Sequence, residues 1–204
     1  MTGVQTCALP ISLAGGNPIK TPFGTFYPPN ITPDPNFGIG NWSDADFIRA
    51  LRDGVSPNGE NYYPAFPYAA FTKMSDQDIL DLKAYIFAQP AVSAPSRAHD
   101  VPFWLRWRVV VSGWKFLHFA PGPLPPAADK DAKWIRGRYL AEALAHCQEC
   151  HTPRTLTGGL DSAKAFSGNP SGPDGKGIPN ITPDPTGIGE WSESDLAFAL
   201  KTGI

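Results

Sequence analysis

The chain has 204 residues, with 17 Lys and Arg against 19 Asp and Glu, a formal net charge of −2. That balance excludes the global cationic field a nucleic-acid binder needs to neutralise phosphates. Pro (23) and Gly (20) give a turn-rich composition, while six Trp, six Tyr and twelve Phe supply too much apolar surface for a disordered chain.

The first twelve residues, MTGVQTCALPIS, resemble the translation of a sequencing-library adapter and lack the charged-then-apolar order of a signal peptide. Residues 1–12 are therefore set aside from the fold, and Cys7 with them. Further on, Ser43 with Asp46 three residues later reads as a capping box; Phe47, Ile48 and Leu51 follow as an apolar stripe, and Gly54 ends the helix. A second helix opens at Ser75 with Asp76 and Asp78 in its first turn. It places Ile79, Leu82 and Ile86, with Leu80 and Tyr85, toward a core and closes before Pro90.

Residues 91–131 form a basic, aromatic linker in which Phe103, Trp104, Trp107, Val111, Trp114 and Leu117 fall near one helical face. Val101–Pro121 is the most apolar stretch, but Arg106, Arg108 and Lys115 interrupt it, so no membrane span is predicted. The first expectation for this linker is aromatics packed in a groove between domains with Arg and Lys left in solvent. The second is docking on a partner subunit or an anionic membrane surface. A third helix is predicted from about Lys130, carrying Trp134, Ile135, Tyr139, Leu140 and Leu144 directly into Cys147. No alternating strand pattern is visible, and the predicted class is all-α with long Pro- and Gly-rich loops.

Self-comparison organises the chain. Asn30-Ile31-Thr32-Pro33-Asp34-Pro35 returns unchanged as Asn180 to Pro185, followed by a Gly-Ile-Gly, a Trp-Ser and a Gly-terminated helix in both places. Ser192 and Asp195 begin the second copy of that helix. Two homologous units therefore lie about 150 residues apart. The second copy stops at Ile204 where the first continues, and the first begins near Leu13, too late to hold a counterpart of Cys147 to His151. The expectation is a piece of a longer protein.

Cys147-Gln148-Glu149-Cys150-His151 is the spacing of a c-type haem attachment site. Thiols three residues apart share one side of a helical turn and can form thioethers along one porphyrin edge, while the adjacent imidazole can reach iron. A disulfide redox motif or half of a zinc site would use the same cysteines, but neither requires the following His, and zinc would need two further ligands.

The run Arg138-Tyr139-Leu140 into Cys-x-x-Cys-His-Thr-Pro-Arg, then Gly-Asn-Pro, PNITPD, GIG and the Trp-Ser helix, resembles the multihaem cytochrome c subunits of periplasmic alcohol, sugar and gluconate dehydrogenases. The resemblance covers nearly everything from Leu13 to Ile204. It implies two tandem class I cytochrome c domains, 13–90 without its attachment motif and 132–204 ending before its distal ligand. It also implies one haem c in this chain, and two or more in the intact protein, with Cys147 and Cys150 as thioether anchors and His151 as proximal metal ligand. Pro179 would offer a carbonyl to that histidine, and Asn180, Thr182 and Trp191 would meet propionates unless turn chemistry already occupies them.

The first unit departs from the family pattern, because Phe66 fills the slot of the usual Met ligand and Met74 is the nearest thioether. The implied function is electron transfer, without substrate chemistry of its own, from a dehydrogenase to a respiratory acceptor in the periplasm, with peripheral membrane contact through the linker. The alternative is a haem enzyme such as a dihaem peroxidase or thiosulfate-oxidising cytochrome. Nucleic acid is not an expected partner.

Overall fold

The structure is a computed structural model that describes residues 13–172 and 175–203. The adapter-like segment, Cys7 and Ile204 lie outside the described residues. The described architecture is helical. A short antiparallel hairpin, β1 (Ile19–Thr21) and β2 (Gly24–Phe26), precedes α1 (Asp44–Asp53), α2 (Tyr68–Phe71) and α3 (Asp76–Phe87). A 3-10 turn at Phe103–Arg106 leads into α4 (Arg108–His118), and then come α5 (Ala132–Tyr139), α6 (Gln148–His151) and α7 (Glu193–Thr202). The hairpin departs from the expected absence of strands: its strands are three residues each, too short to display a period-two pattern.

The predicted helix boundaries are met where local chemistry sets them. The Ser43 hydroxyl accepts from the Asp46 amide, the Asp46 carboxylate accepts from the Ser43 amide, and Gly54 closes α1 in the left-handed conformation. Ser192, Asp195 and Gly203 do the same for α7. Each such cap contributes about 1 kcal/mol. Hydrogen bonds donated by the Ser43 and Ser192 hydroxyls, and then by their backbone amides, hold the carboxyls of Asp46 and Asp195 below their ordinary value. The repeated loops agree too: Asn30 Oδ1 accepts from the Thr32 amide and hydroxyl, and Asn180 Oδ1 accepts from the same groups of Thr182.

Tertiary surroundings then separate the copies. Asn30 is buried and donates to the carbonyls of Val92 and Ala94, pinning the chain beyond α3, whereas Asn180 donates to Thr186 within its own loop. On α1, Phe47 and Leu51 are 3% and 6% exposed, packed with Ile39, Met74, Ile79 and Ile86; their counterparts on α7, Leu196 and Leu200, are 41% and 79% exposed.

The helix entering the motif does not run straight into Cys147. After α5 the backbone widens into a π turn at Leu140–Leu144, and His146 then takes a left-handed φ of 42°. The detour lets this segment pack on the first repeat. Ala143 is fully buried in the α1–α3 core, with Tyr139 and Leu144 against it. The Tyr139 hydroxyl both accepts from the Ser75 amide and donates to the Asp78 carboxylate.

The linker meets the first expectation only in part: Val111 is buried and Trp114 packs edge-on against Tyr68, but Arg108 and Lys115 are not left in solvent. Lys115 donates to the Asp53 carbonyl at 2.5 Å and to Asn61 Oδ1 at 2.7 Å, and Arg108 donates to the Asn61 carbonyl while lying 4.4 Å from the Tyr63 ring centroid. These cations face the protein, whereas Phe103, Trp104, Trp107 and Leu117 are exposed. Periodicity reveals that a helix has two faces. It does not reveal that backbone carbonyls 47 and 62 residues distant will attract the polar one.

Candidate functional site

α6 is a single turn with Cys147 at its N-terminal boundary; the amides of Cys150 and His151 both donate to the Cys147 carbonyl. This places Cys147, Cys150 and His151 on one compact turn, with both cysteines half-buried. Glu149 and Arg154 lock it. The Arg154 guanidinium donates to the Glu149 carboxylate at 2.6 Å and to its backbone carbonyl at 3.0 Å.

The histidine is held from the far side of the loop. His151 Nδ1 lies 2.8 Å from the Pro179 carbonyl. A carbonyl oxygen only accepts, so Nδ1 carries the proton and donates, leaving the Nε2 lone pair available to a metal. A donor bond from the second ring nitrogen to a carbonyl is the usual device for fixing the orientation of a metal-binding imidazole.

Three contacts hold the Pro179 loop in reach. The Gly168 amide donates to the His151 carbonyl at 2.8 Å, the buried Thr152 hydroxyl accepts from the Phe166 amide, and Asn169 and Ile178 exchange backbone hydrogen bonds. Gly168 has a φ of 91°, and a Cβ there would lie 2.8 Å from the Ile178 carbonyl oxygen, closer than side-chain carbons approach. Arg154, Thr152 and Gly168 lie within the motif that carries the family resemblance, but the sequence assigned them no role. Of the three, only Gly168 had a local signal, as a glycine before the Asn-Pro turn.

The other residues of interest are occupied elsewhere. Asn180 and Thr182 close the loop turn on one another, and Trp191 is exposed. Met74 is buried among Ile39, Phe47 and Ile79, and Phe66 packs edge-on against Tyr62 and Phe71. His146 stacks edge-on against Phe71, and His118 Nε2 pairs with the Thr157 hydroxyl at 2.8 Å. Among the described residues no three His, Cys, Asp or Glu side chains converge as a metal cluster.

A cleft of about 460 Å³ opens on the side of the turn carrying Gln148, Glu149 and Thr152, and Phe66, Tyr68 and Trp114 line its other wall. Cys147, Cys150 and His151 do not line it. The Tyr68 ring is wholly buried, and its hydroxyl has no partner among the described residues.

The residues at the turn fit a covalently held haem. Two thiols sit on one turn, an imidazole has its tautomer set and Nε2 available, and the apolar side chains of α7 stand uncovered in the same half of the chain.

Comparison with known proteins agrees with that chemistry. The chain is 43% identical over 198 residues to a diheme cytochrome c-type protein of Cereibacter sphaeroides, covering 94% of this chain and 64% of that protein. The chain is a homologue of c-type cytochromes. It is also 42% identical over 200 residues to the gluconate 2-dehydrogenase cytochrome c subunit of Pantoea cypripedii, covering 93% and 45% of the two chains. The fructose dehydrogenase cytochrome subunit of Gluconobacter japonicus is 41% identical over 194 residues, with 94% and 40% covered. The chain thus spans about two thirds or less of these relatives. No protein-family model matches it.

Proposed function

We propose that this chain holds one haem c through thioethers from Cys147 and Cys150, with His151 as the proximal iron ligand. On this reading it passes electrons from a dehydrogenase partner to a respiratory acceptor in the periplasm. It is organised as two tandem cytochrome c units, 13–90 and 132–204, joined by 91–131, with peripheral membrane contact through that linker. The intact protein then carries two or more haems. The observation that carries the reading is the hydrogen bond from His151 Nδ1 to the Pro179 carbonyl at 2.8 Å.

When bound, haem c supplies a one-electron couple at its iron. The chain's own residues then have separate tasks. The thioethers prevent loss of the group, the Pro179 carbonyl keeps the proton on Nδ1, and the Glu149–Arg154 pair holds the turn that carries all three anchors.

The test is a pyridine haemochrome assay on the chain produced with cytochrome c maturation machinery. One covalent haem per chain is expected, and none after joint replacement of Cys147 and Cys150 by Ala. Two haems per chain, or retention after the double replacement, would overturn the assignment.

A further inference from the structure

His99 is held with its ring proton in the opposite place to that of His151. The Tyr27 amide donates to His99 Nδ1 at 3.1 Å. An amide N–H only donates, so Nδ1 presents its lone pair and the proton of the neutral imidazole sits on Nε2. A second proton, on Nδ1, would set two N–H groups against each other and break the bond.

The surroundings resist that second proton. The centroids of Phe26 and Tyr63 each lie 5.4 Å from that of the imidazole, and both side chains are buried in a cluster with Val101, Leu105 and Val111. From α4 the Arg108 guanidinium comes over the Tyr63 ring at 4.4 Å, so a cation already adjoins the site. A second guanidinium, that of Arg97, lies 3.9 Å from the Tyr27 ring centroid. Of the nearby carboxylates, Glu60 approaches Arg108 at 3.6 Å, and Asp100, next in sequence to His99, is exposed. Burial, and then the charge of Arg108, hold the imidazole below its ordinary value of 6.5.

The bond lies within a seam. Residues 92–101, between α3 and α4, run antiparallel to residues 25–32. Thr25 and Asp100 exchange backbone hydrogen bonds at 2.7 and 2.9 Å at one end. At the other, the Asn30 amide donates to the Ser96 hydroxyl and its side chain donates to the Val92 and Ala94 carbonyls. Tyr27 and His99 join these two sets of contacts. Theirs is the one bond of the series with a partner that titrates near neutrality, the rest being made by amides, carbonyls and a hydroxyl.

We propose that His99 is a proton-operated latch between the segment 92–101 and the first repeat. While neutral it closes the seam. On acidification Nδ1 takes a proton from solvent and gives up the Tyr27 amide, and the segment leading into α4 loosens from residues 25–30. A histidine depressed in the closed state favours closure in full above its open-state pKa and loses that contribution as pH falls through its closed-state one. The inference does not rest on haem or on electron transfer.

The experiment is an NMR titration of the full chain, with hydrogen–deuterium exchange of the Tyr27 amide at about pH 7.5 and about pH 5, on either side of the ordinary imidazole range. The chain has four histidines, and the ring signal missing from His99→Gln identifies that of His99. Its midpoint is expected below 6.5, the ordinary value. The protection factor of Tyr27, which corrects for the pH dependence of intrinsic exchange, should fall with acid by about tenfold for each unit separating the open-state and closed-state pKa values. Interior amides of α1 should keep theirs. In His99→Gln the side-chain carbonyl can still accept from Tyr27 but does not titrate, so the acid sensitivity at Tyr27 should vanish.

A His99 midpoint at or above 6.5 would overturn the proposal. So would equal acid sensitivity at Tyr27 in the Gln variant, or a parallel loss at Tyr27 and in α1, which would mean global destabilisation. Should the variant fail to fold by circular dichroism, the wild-type chain decides alone: Tyr27 protection must follow the His99 titration, and protection that does not follow it overturns the latch. Haem stoichiometry enters none of these readouts, so failure here is distinguishable from failure of the electron-transfer reading.

Discussion

The Tyr139 hydroxyl at the end of α5 donates to the Asp78 carboxylate in the first turn of α3, across a sequence separation of 61 residues. This ties the segment leading into Cys147 to the first repeat. The Ser75 amide donates to the same phenol, so a single oxygen serves two groups at the N-terminus of α3.

Tyr139→Phe is expected to lower stability by about 1 to 2 kcal/mol, the scale of losing a hydrogen bond to a charged group. The bond also carries a pH signature. The hydrogen bond from Tyr139, and then that from Ser75, hold the Asp78 carboxyl below its ordinary value of 3.8. A carboxyl depressed in the folded state adds stability that is complete above its unfolded pKa and is lost as pH falls through its folded one. Urea denaturation at pH 7 and at about pH 3 should therefore differ more in the wild-type chain than in Tyr139→Phe. Equal differences would show that the contact contributes nothing.

Gly168→Ala tests the carbonyl that holds His151. The added Cβ displaces the Ile178–Asn180 backbone, and Pro179 lies within that stretch. The bond to Nδ1 should weaken, making the imidazole less electron-donating and favouring the reduced state of a bound iron. A redox titration should give a higher midpoint potential than the wild type, with covalent haem content unchanged. An unaltered potential would remove Pro179 from the account.

Tyr68→Phe is expected to leave stability unchanged or raise it by about 1 kcal/mol, since a buried hydroxyl without a partner costs desolvation and returns nothing. The ring, which lies over Gly54 and edge-on against Phe119, is preserved by the replacement. Thermal denaturation decides the matter. A loss above about 1 kcal/mol would mean that the hydroxyl is satisfied by water in the adjoining cleft.

Legibility followed the range of the interaction. α1 and α7 could be read from Ser, Asp and Gly because those residues bond within four positions of themselves. Cys147, Cys150 and His151 were legible for the same reason, as one turn of contiguous chain. His151 meeting Pro179 spans 28 residues and was anticipated only through family resemblance. The π turn and the left-handed His146 had no local signal, because they result from seating Ala143 against α1 and α3. On α4 the inward placing of Val111 and Trp114 followed the pattern, but that of Arg108 and Lys115 did not, because their partners, Asn61 and the Asp53 carbonyl, are distant in sequence.

α1 and α7 also form a comparison contained in one molecule. Both are ten residues long, begin with the same reciprocal cap and end on a left-handed glycine. One is covered by a core and the other is not. In hydrogen–deuterium exchange, the interior amides of α1 should open only with the surrounding core, whereas those of α7 should exchange by local fraying under identical solvent and temperature. The ratio of their protection factors then measures what tertiary cover adds to a capped helix, with intrinsic helix signals held nearly constant.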